Sequence, residues 1–224
     1  MSHYFSRVQL VEWPQDMALL GNLARHGEAY RDHALMWKLF EGEDVARDFV
    51  FRRNVVFGRN DVYYVVSARP PHEVPGLFKL QSKPYSPQLA QGECLRFDLR
   101  ANPVVTRRLD PSGPPKRHDV LMHAKHSYDG PPELRGETVQ QAAIDWLTSK
   151  AAAWGLSIVR ETVAAEGYTQ HKLRHRQRSI EFSSLDYQGV AHVADPELLR
   201  RALLSGVGHA RAFGCGLMLV KRVG

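Results

Sequence analysis

Apolar and polar positions recur regularly enough to divide the chain into strands and helices. Residues 4–10, YFSRVQL, read as an opening strand, and 28–40, EAYRDHALMWKLF, follow with apolar residues at helical spacing. The runs 48–57, DFVFRRNVVF, and 61–68, DVYYVVSA, predict two strands joined by a turn at Gly58–Asn60. Prolines crowd 70–87 and leave room only for a short, irregular helix. ECLRFDLRA (93–101) alternates like a half-buried strand and stops at Asn102–Pro103. The order β-α-β-β-(weak α)-β is the ferredoxin-like pattern.

Breakers then gather in DPSGPPK (110–116) and YDGPPELRG (128–136), and a domain boundary is expected near the first. Between Glu137 and Trp154, Val139, Ala142, Ala143, Trp146, Leu147 and Trp154 recur at helical spacing, with Gly155 as a C-cap. Strands are expected at 156–164 and 180–187, followed by a turn at Gln188–Gly189 and a short strand VAHVA. Asp195–Pro196 is an N-cap followed by proline at the first helical position, and that helix ends at Gly206. A last strand, LMLVKR, closes the chain. The second half repeats the logic of the first. The expected fold is α+β, with two tandem ferredoxin-like (βαββαβ) domains at 1–108 and 109–224.

Composition then narrows the function. Thirty Lys and Arg against 24 Asp and Glu give a net charge of +6, a surplus that favours a polyanionic partner. No apolar run reaches the roughly 20 residues of a membrane-spanning helix. The first residues lack the basic and apolar regions of a secretory signal. Two cysteines, Cys94 and Cys215, build neither a disulfide framework nor a zinc site by themselves. A soluble, cytoplasmic protein with no membrane partner is expected.

The position of the charge says more. In HKLRHRQRS (171–179), read as one strand, Lys172, Arg174, Arg176 and Arg178 share a face at steps of about 6.6–7 Å. That spacing suits a track of phosphates and the shape of an RNA stem, although an edge strand defended by cations has the same appearance. HDVLMHAKH carries His118, His123 and His126 without a ligand set, so surface histidines in a loop are expected and no metal or cofactor is implied. Neither a phosphate-binding loop with its lysine nor a nucleophile elbow occurs.

Acid–base chemistry remains. Tyr30 and His33 lie three residues apart and are neighbours on a helix. His33 shares a stripe with Ala29, Met36, Trp37 and Phe40, so it reads equally as a core-edge histidine. Metal-free RNA cleavage needs a group that takes the 2′-OH proton and one that protonates the departing 5′-oxygen. Histidine titrates in the range where it can do either.

Several stretches together carry a family resemblance: SRVQL, AYRDHALMWKLF, ARDFVFR, KPYSPQLAQGECLRFDLRANPVVTR, KRHDVL, FSSLDYQGVAHVADPELL and GVGHARAFGCGL. The chain resembles the CasE-type CRISPR-associated endoribonucleases, a branch of the RAMP superfamily and a subunit of the type I-E Cascade complex. The resemblance implies tandem ferredoxin-like domains of RAMP type. It also implies metal-independent cleavage of CRISPR precursor RNA at the base of each repeat hairpin. The products would be a 2′,3′-cyclic phosphate and a 5′-OH, with the mature crRNA retained among the other Cascade subunits. It selects His33, in YRDH, as catalytic histidine over His26, gives it Tyr30 as partner, and matches a lysine of some members to Lys38. Lys38 lies five helical residues on, about 140° around the axis. Residues 172–178 correspond to the RNA-stem-binding hairpin, and Lys116 and Arg117 in KRHDVL join the RNA-binding set. A RAMP-type scaffold that binds RNA without cutting is the alternative.

GVGHARAFGCG holds Gly206, Gly208, Gly214 and Gly216. It follows a helix and leads into a strand, the reverse of a dinucleotide fingerprint, and it resembles the RAMP glycine-rich loop. His209 and Arg211 are expected to face RNA from it. A tight helix-to-strand crossing would explain the glycines equally well.

Overall fold

Strand β2 (Phe49–Asn54) shows how the two halves are joined. Its first four residues are all buried, because both of its faces are covered. Phe49 and Phe51 pack with Val8, Leu35, Met36 and Leu39 in the core of the first half, whereas Val50 joins Val66 and Leu217 in a separate cluster at the seam. The computed structural model describes residues 2–11, 21, 23, 25–40, 46–55, 61–108, 113–175 and 178–223.

The first sheet consists of β1 (His3–Leu10), β2, β3 (Val62–Ser67) and β4 (Phe78–Tyr85), ordered β2-β3-β1-β4 with every pair antiparallel. Helix α1 (Glu28–Trp37) buries Ala29, Leu35 and Met36 against it. The irregular helix expected at 70–87 is corrected to strand β4, which pairs along β1 from Leu10↔Phe78 to His3↔Tyr85. β4 is an edge strand, the place where Pro84 is tolerated in a ladder.

The second sheet is ordered β10-β5-β9-β8, from β5 (Cys94–Ala101), β8 (Leu156–His175), β9 (Arg178–Val193) and β10 (Met218–Arg222). Helices α3 (Arg135–Ala151) and α4 (Pro196–Ser205) supply Trp146, Leu147, Leu199 and Leu203 to its core. The chain order β5-α3-β8-β9-α4-β10 is thus a complete βαββαβ unit, whereas the first unit lacks a helix between β3 and β4. Strand 94–101, expected to close the first unit, opens the second. The division expected at 108/109 falls between β6 (Val104–Arg107) and β7 (Lys116–Asp119), a small sheet of its own.

Local signals are met unevenly. The Asp195 carboxylate accepts from the Glu197 and Leu198 amides and caps α4, and Gly155 ends the α3 region at φ 77°. The turn expected at Gln188–Gly189 does not form, because β9 runs straight through it and pairs Gln188 with Asp98 and Gly189 with Phe97. A Cβ at Gly189 would meet the Phe97 ring at 3.0 Å, so this glycine makes room for an aromatic side chain. HDVLMHAKH is a strand end and a helix, α2 (Val120–His126), capped by Asp119, rather than a loop. The turn expected at Gly58–Asn60 lies outside the described residues. No described helix is long and apolar enough to cross a membrane.

Candidate RNA-processing site at the seam

Helix α1 is held by charge as well as by its apolar face. Asp32, 6% exposed, accepts hydrogen bonds from Arg31 (3.0 Å) and from the Tyr63 hydroxyl (2.8 Å). Arg53 on β2 pairs with Glu28 and with Asp61, both at 3.0 Å. Burial pushes the Asp32 carboxyl above the usual carboxylate range, and the Arg53 and Arg31 guanidiniums act against that shift. This network fixes the rotation of α1, so Asp32 points into the first unit and the half-buried His33 faces the second.

The glycine-rich stretch comes to meet His33. Gly206 ends α4 at φ 72°, and the Val207 amide donates to the Gly216 carbonyl at 2.9 Å, pinching the stretch into a loop. At its tip, Arg211–Phe213 form a single 3₁₀ turn between Ala210 (φ 56°) and Gly214 (φ 85°). Ala210 is the one non-glycine residue with positive φ among the described residues. The turn aims the Ala212 carbonyl at α1, and His33 Nδ1 lies 2.9 Å from that oxygen. A carbonyl only accepts, so Nδ1 carries the hydrogen and the Nε2 of neutral His33 carries the lone pair. The Phe213 ring flanks the imidazole at 5.6 Å between centroids.

Tyr30 stands beside His33 with ring centroids 6.5 Å apart, and His26 meets Tyr30 edge-on at 5.2 Å. Lys38, exposed at the helix C-cap, keeps right-handed helical geometry. The unbroken helix therefore leaves it about 140° around the axis from His33. The structure brings Tyr30 and His33 together and leaves Lys38 apart.

A cleft of about 660 Å³ opens beside Phe213. Arg117, Lys172 and His209, from three separate stretches of sequence, line it together. Lys116 is exposed at the start of β7. Burial first, and then Arg117, Arg211 and Lys150, lower the pKa of His209. His171, also lining the cleft, is lowered by burial and by Arg100, with Glu28 acting in the opposite sense. Arg211 is engaged otherwise: its Nη1 donates to the Ser205 carbonyl at 3.0 Å and ties the loop to the end of α4.

Residues 171–175 and 178–182 lie in two paired strands, as the family resemblance implies and unlike the single strand of the alternation reading. Lys172 is exposed and pairs with Glu181 at 2.8 Å, while Leu173 is buried. Arg174 lies opposite Ser179 in the ladder, and Arg178 opens β9 opposite His175. Arg176 lies outside the described residues. Sequence reasoning missed Ala212, Phe213, Phe182 and Asp119. The first acts through its backbone and has no side-chain signature, while the others matter only once β7, β9 and the loop converge.

Comparison with known proteins decides the family. A family model described as CRISPR associated protein matches residues 3–222. The chain belongs to this CRISPR-associated family. Among curated relatives, this CRISPR-associated protein is 28% identical over 201 residues to the CRISPR system Cascade subunit CasE of Escherichia coli strain K12, covering 85% of this chain and 90% of CasE. Two solved structures match at TM-score 0.74. One is the CRISPR endoribonuclease Cse3 bound to a 19-nucleotide RNA (22% identity, 98% of this chain and 99% of the other). The other is Thermus thermophilus Cse3 bound to an RNA representing a pre-cleavage complex (23% identity, 99% and 100%). Cas6e from Escherichia coli K-12 matches at TM-score 0.64 and 22% identity, over 98% of this chain and all of the other. These likenesses establish the tandem ferredoxin-like fold of RAMP type for the CRISPR-associated chain.

Proposed function

We propose that this chain is a cytoplasmic, metal-independent endoribonuclease that cuts CRISPR precursor RNA at the base of the repeat hairpin and remains on the mature crRNA as a Cascade subunit. The observation that carries the reading is the oriented imidazole. His33 donates from Nδ1 to the Ala212 carbonyl, which makes Nε2 the basic nitrogen of the neutral ring, next to a cleft that gathers Arg117, Lys172 and His209. The relatives CasE and RNA-bound Cse3 point the same way.

In the proposed reaction the 2′-oxygen attacks the adjacent phosphorus. The O2′–P bond forms as the P–O5′ bond breaks, the 2′ proton goes to a base, and the departing O5′ takes a proton. A 2′,3′-cyclic phosphate and a 5′-OH result. His33 Nε2 exchanges one of these protons, and Tyr30 beside it steadies the crowded phosphate or the ring. The cations of the cleft, with the hairpin carrying Lys172, Arg174, Arg176 and Arg178, grip the stem through its phosphates.

The test is incubation of the protein with its cognate repeat hairpin in EDTA. Cleavage persists there, and His33→Ala loses it by two to four orders of magnitude, roughly the contribution of a positioned proton-transfer group. The hairpin is still bound by the variant. An unaffected His33→Ala, or cleavage of a substrate carrying 2′-deoxy at the cut, overturns the assignment. Tight binding by the unaltered protein with no cutting favours the scaffold alternative.

A further inference from the structure

The cleft beside His33 contains more than a phosphate track requires. We propose that it is a nucleotide subsite. The base of one unpaired nucleotide flanking the cut lies against Phe182 and Phe213, and its phosphate stays at the rim with Arg117, His209 and Lys172. This rests on the reading of the chain as a His33-dependent RNA nuclease.

The volume, about 660 Å³, lies within the range of small-ligand sites, roughly 300–1,000 Å³, and accommodates a nucleotide. One wall is aromatic and fixed. Phe182 stacks with His171 at 4.5 Å and with Phe213 at 5.4 Å, with interplanar angles of 17° and 20°. Phe182 and Phe213 are half-buried and both face the cleft. Phenyl rings held in register on a cleft wall among cations provide what an unstacked base meets in single-strand binders, because every base offers a π-face.

The other wall sorts the ends of the nucleotide. Asp119 lines the cleft and accepts from the Met122 amide at 2.8 Å, from the Tyr168 hydroxyl at 3.0 Å and from the Ser183 hydroxyl. A carboxylate there repels a phosphate and accepts from the N–H edge of a base. The base therefore enters, and the phosphate remains at the rim with Arg117 and His209, where it competes with Glu181 for Lys172. Phe213 also fixes the position along the RNA. It touches both the Phe182 ring and the His33 imidazole, so the subsite holds a nucleotide within one or two of the reacting phosphate.

The test uses the full chain and its cognate hairpin made uncleavable by 2′-deoxy at the cut. An abasic nucleotide is placed in turn at the two positions on each side. One of the four abasic RNAs binds the unaltered protein at least about fivefold more weakly than the intact hairpin. Phe182→Ala shows the same loss on the intact hairpin and no second loss on that abasic RNA. Phe182→Leu, which keeps apolar bulk without a π-face, behaves in the same way. Four abasic RNAs bound like the intact hairpin, or losses that add, overturn the subsite. The all-ribose hairpin separates the two readings. If it is left uncut by the unaltered protein, the nuclease reading falls and the subsite with it. If it is cut while abasic binding is indifferent, the subsite alone falls.

Discussion

The two nitrogens of a histidine differ once one is engaged, and the Ala212 carbonyl makes Nδ1 of His33 the one that carries the hydrogen. Tyr30 and His33 were legible as neighbours from their spacing of three. The side of α1 they occupy was not, because it is set by Asp32, Tyr63 and Arg53 drawing the opposite side inward. His209 carries a testable pH dependence. In the free protein, burial and the surrounding cations hold its pKa below the ordinary value near 6.5, so it is neutral at pH 7. An RNA phosphate at the rim favours the imidazolium and raises that pKa, so binding takes up a proton. Affinity for the uncleavable hairpin therefore strengthens by about two- to tenfold as pH falls from 7.5 to 5.5. His209→Gln flattens part of that slope, measured by titrations at constant ionic strength. An identical slope in the variant removes His209 from the RNA contact.

Elements whose signal is carried by burial were legible, and those decided by neighbours were not. α4 announced itself through Asp195–Pro196, and α3 through its row of apolar residues. β4 did not, because five of its eight residues are exposed along an edge, and Pro84 argues locally against a strand. Gly189 as a turn and the 171–179 stretch as one alternating strand were misleading for related reasons. A glycine under a phenylalanine ring looks like a turn, and two paired strands look like one when residues of the same polar, basic kind run from the end of the first into the start of the second. The glycine-rich loop separates its members by what a side chain would strike. At Gly216, with φ 88°, a Cβ would sit 2.3 Å from the Val207 carbonyl oxygen. At Gly208, with φ 68°, it would meet nothing within 4 Å. Gly208→Ala therefore costs only the backbone penalty of about 1–2 kcal/mol. Gly216→Ala costs more, forces the loop open and removes cleavage together with thermal stability. Melting curves and single-turnover rates on the two variants check this, and equal effects would deny the loop its pinch.

At the scale of the molecule, the two sheets are joined by packing and by charge. Val50, Val66 and Leu217 meet at the seam, and Arg52 of the first sheet reaches Asp98 at 2.5 Å and Asp186 at 3.5 Å in the second. Asp186 also holds Arg100 at 2.8 Å, and Arg100 contacts the Arg53 carbonyl at 3.5 Å. The all-buried start of β2 marks this seam in the structure, whereas the reading of 48–57 as one strand of a pair carried no sign of it. The tandem repeat of β and α elements was legible, but the way the repeats dock was not, since docking depends on residues far apart in the chain. Asp186→Ala strips Arg100 of its carboxylate and leaves the enclosed Arg52 with Asp98 alone, and lowers unfolding stability by about 1–2 kcal/mol, read as a shift in denaturant midpoint with unchanged slope. Asp186→Asn, which keeps the shape and one acceptor, loses less.

The aim of His33 is set from across that seam, so on the proposed reading neither half alone holds a complete site. Cutting would then report on how the halves sit. A displacement of about 1 Å between them is expected to break the contact that orients the imidazole and to slow the proposed chemistry while both sheets stay folded.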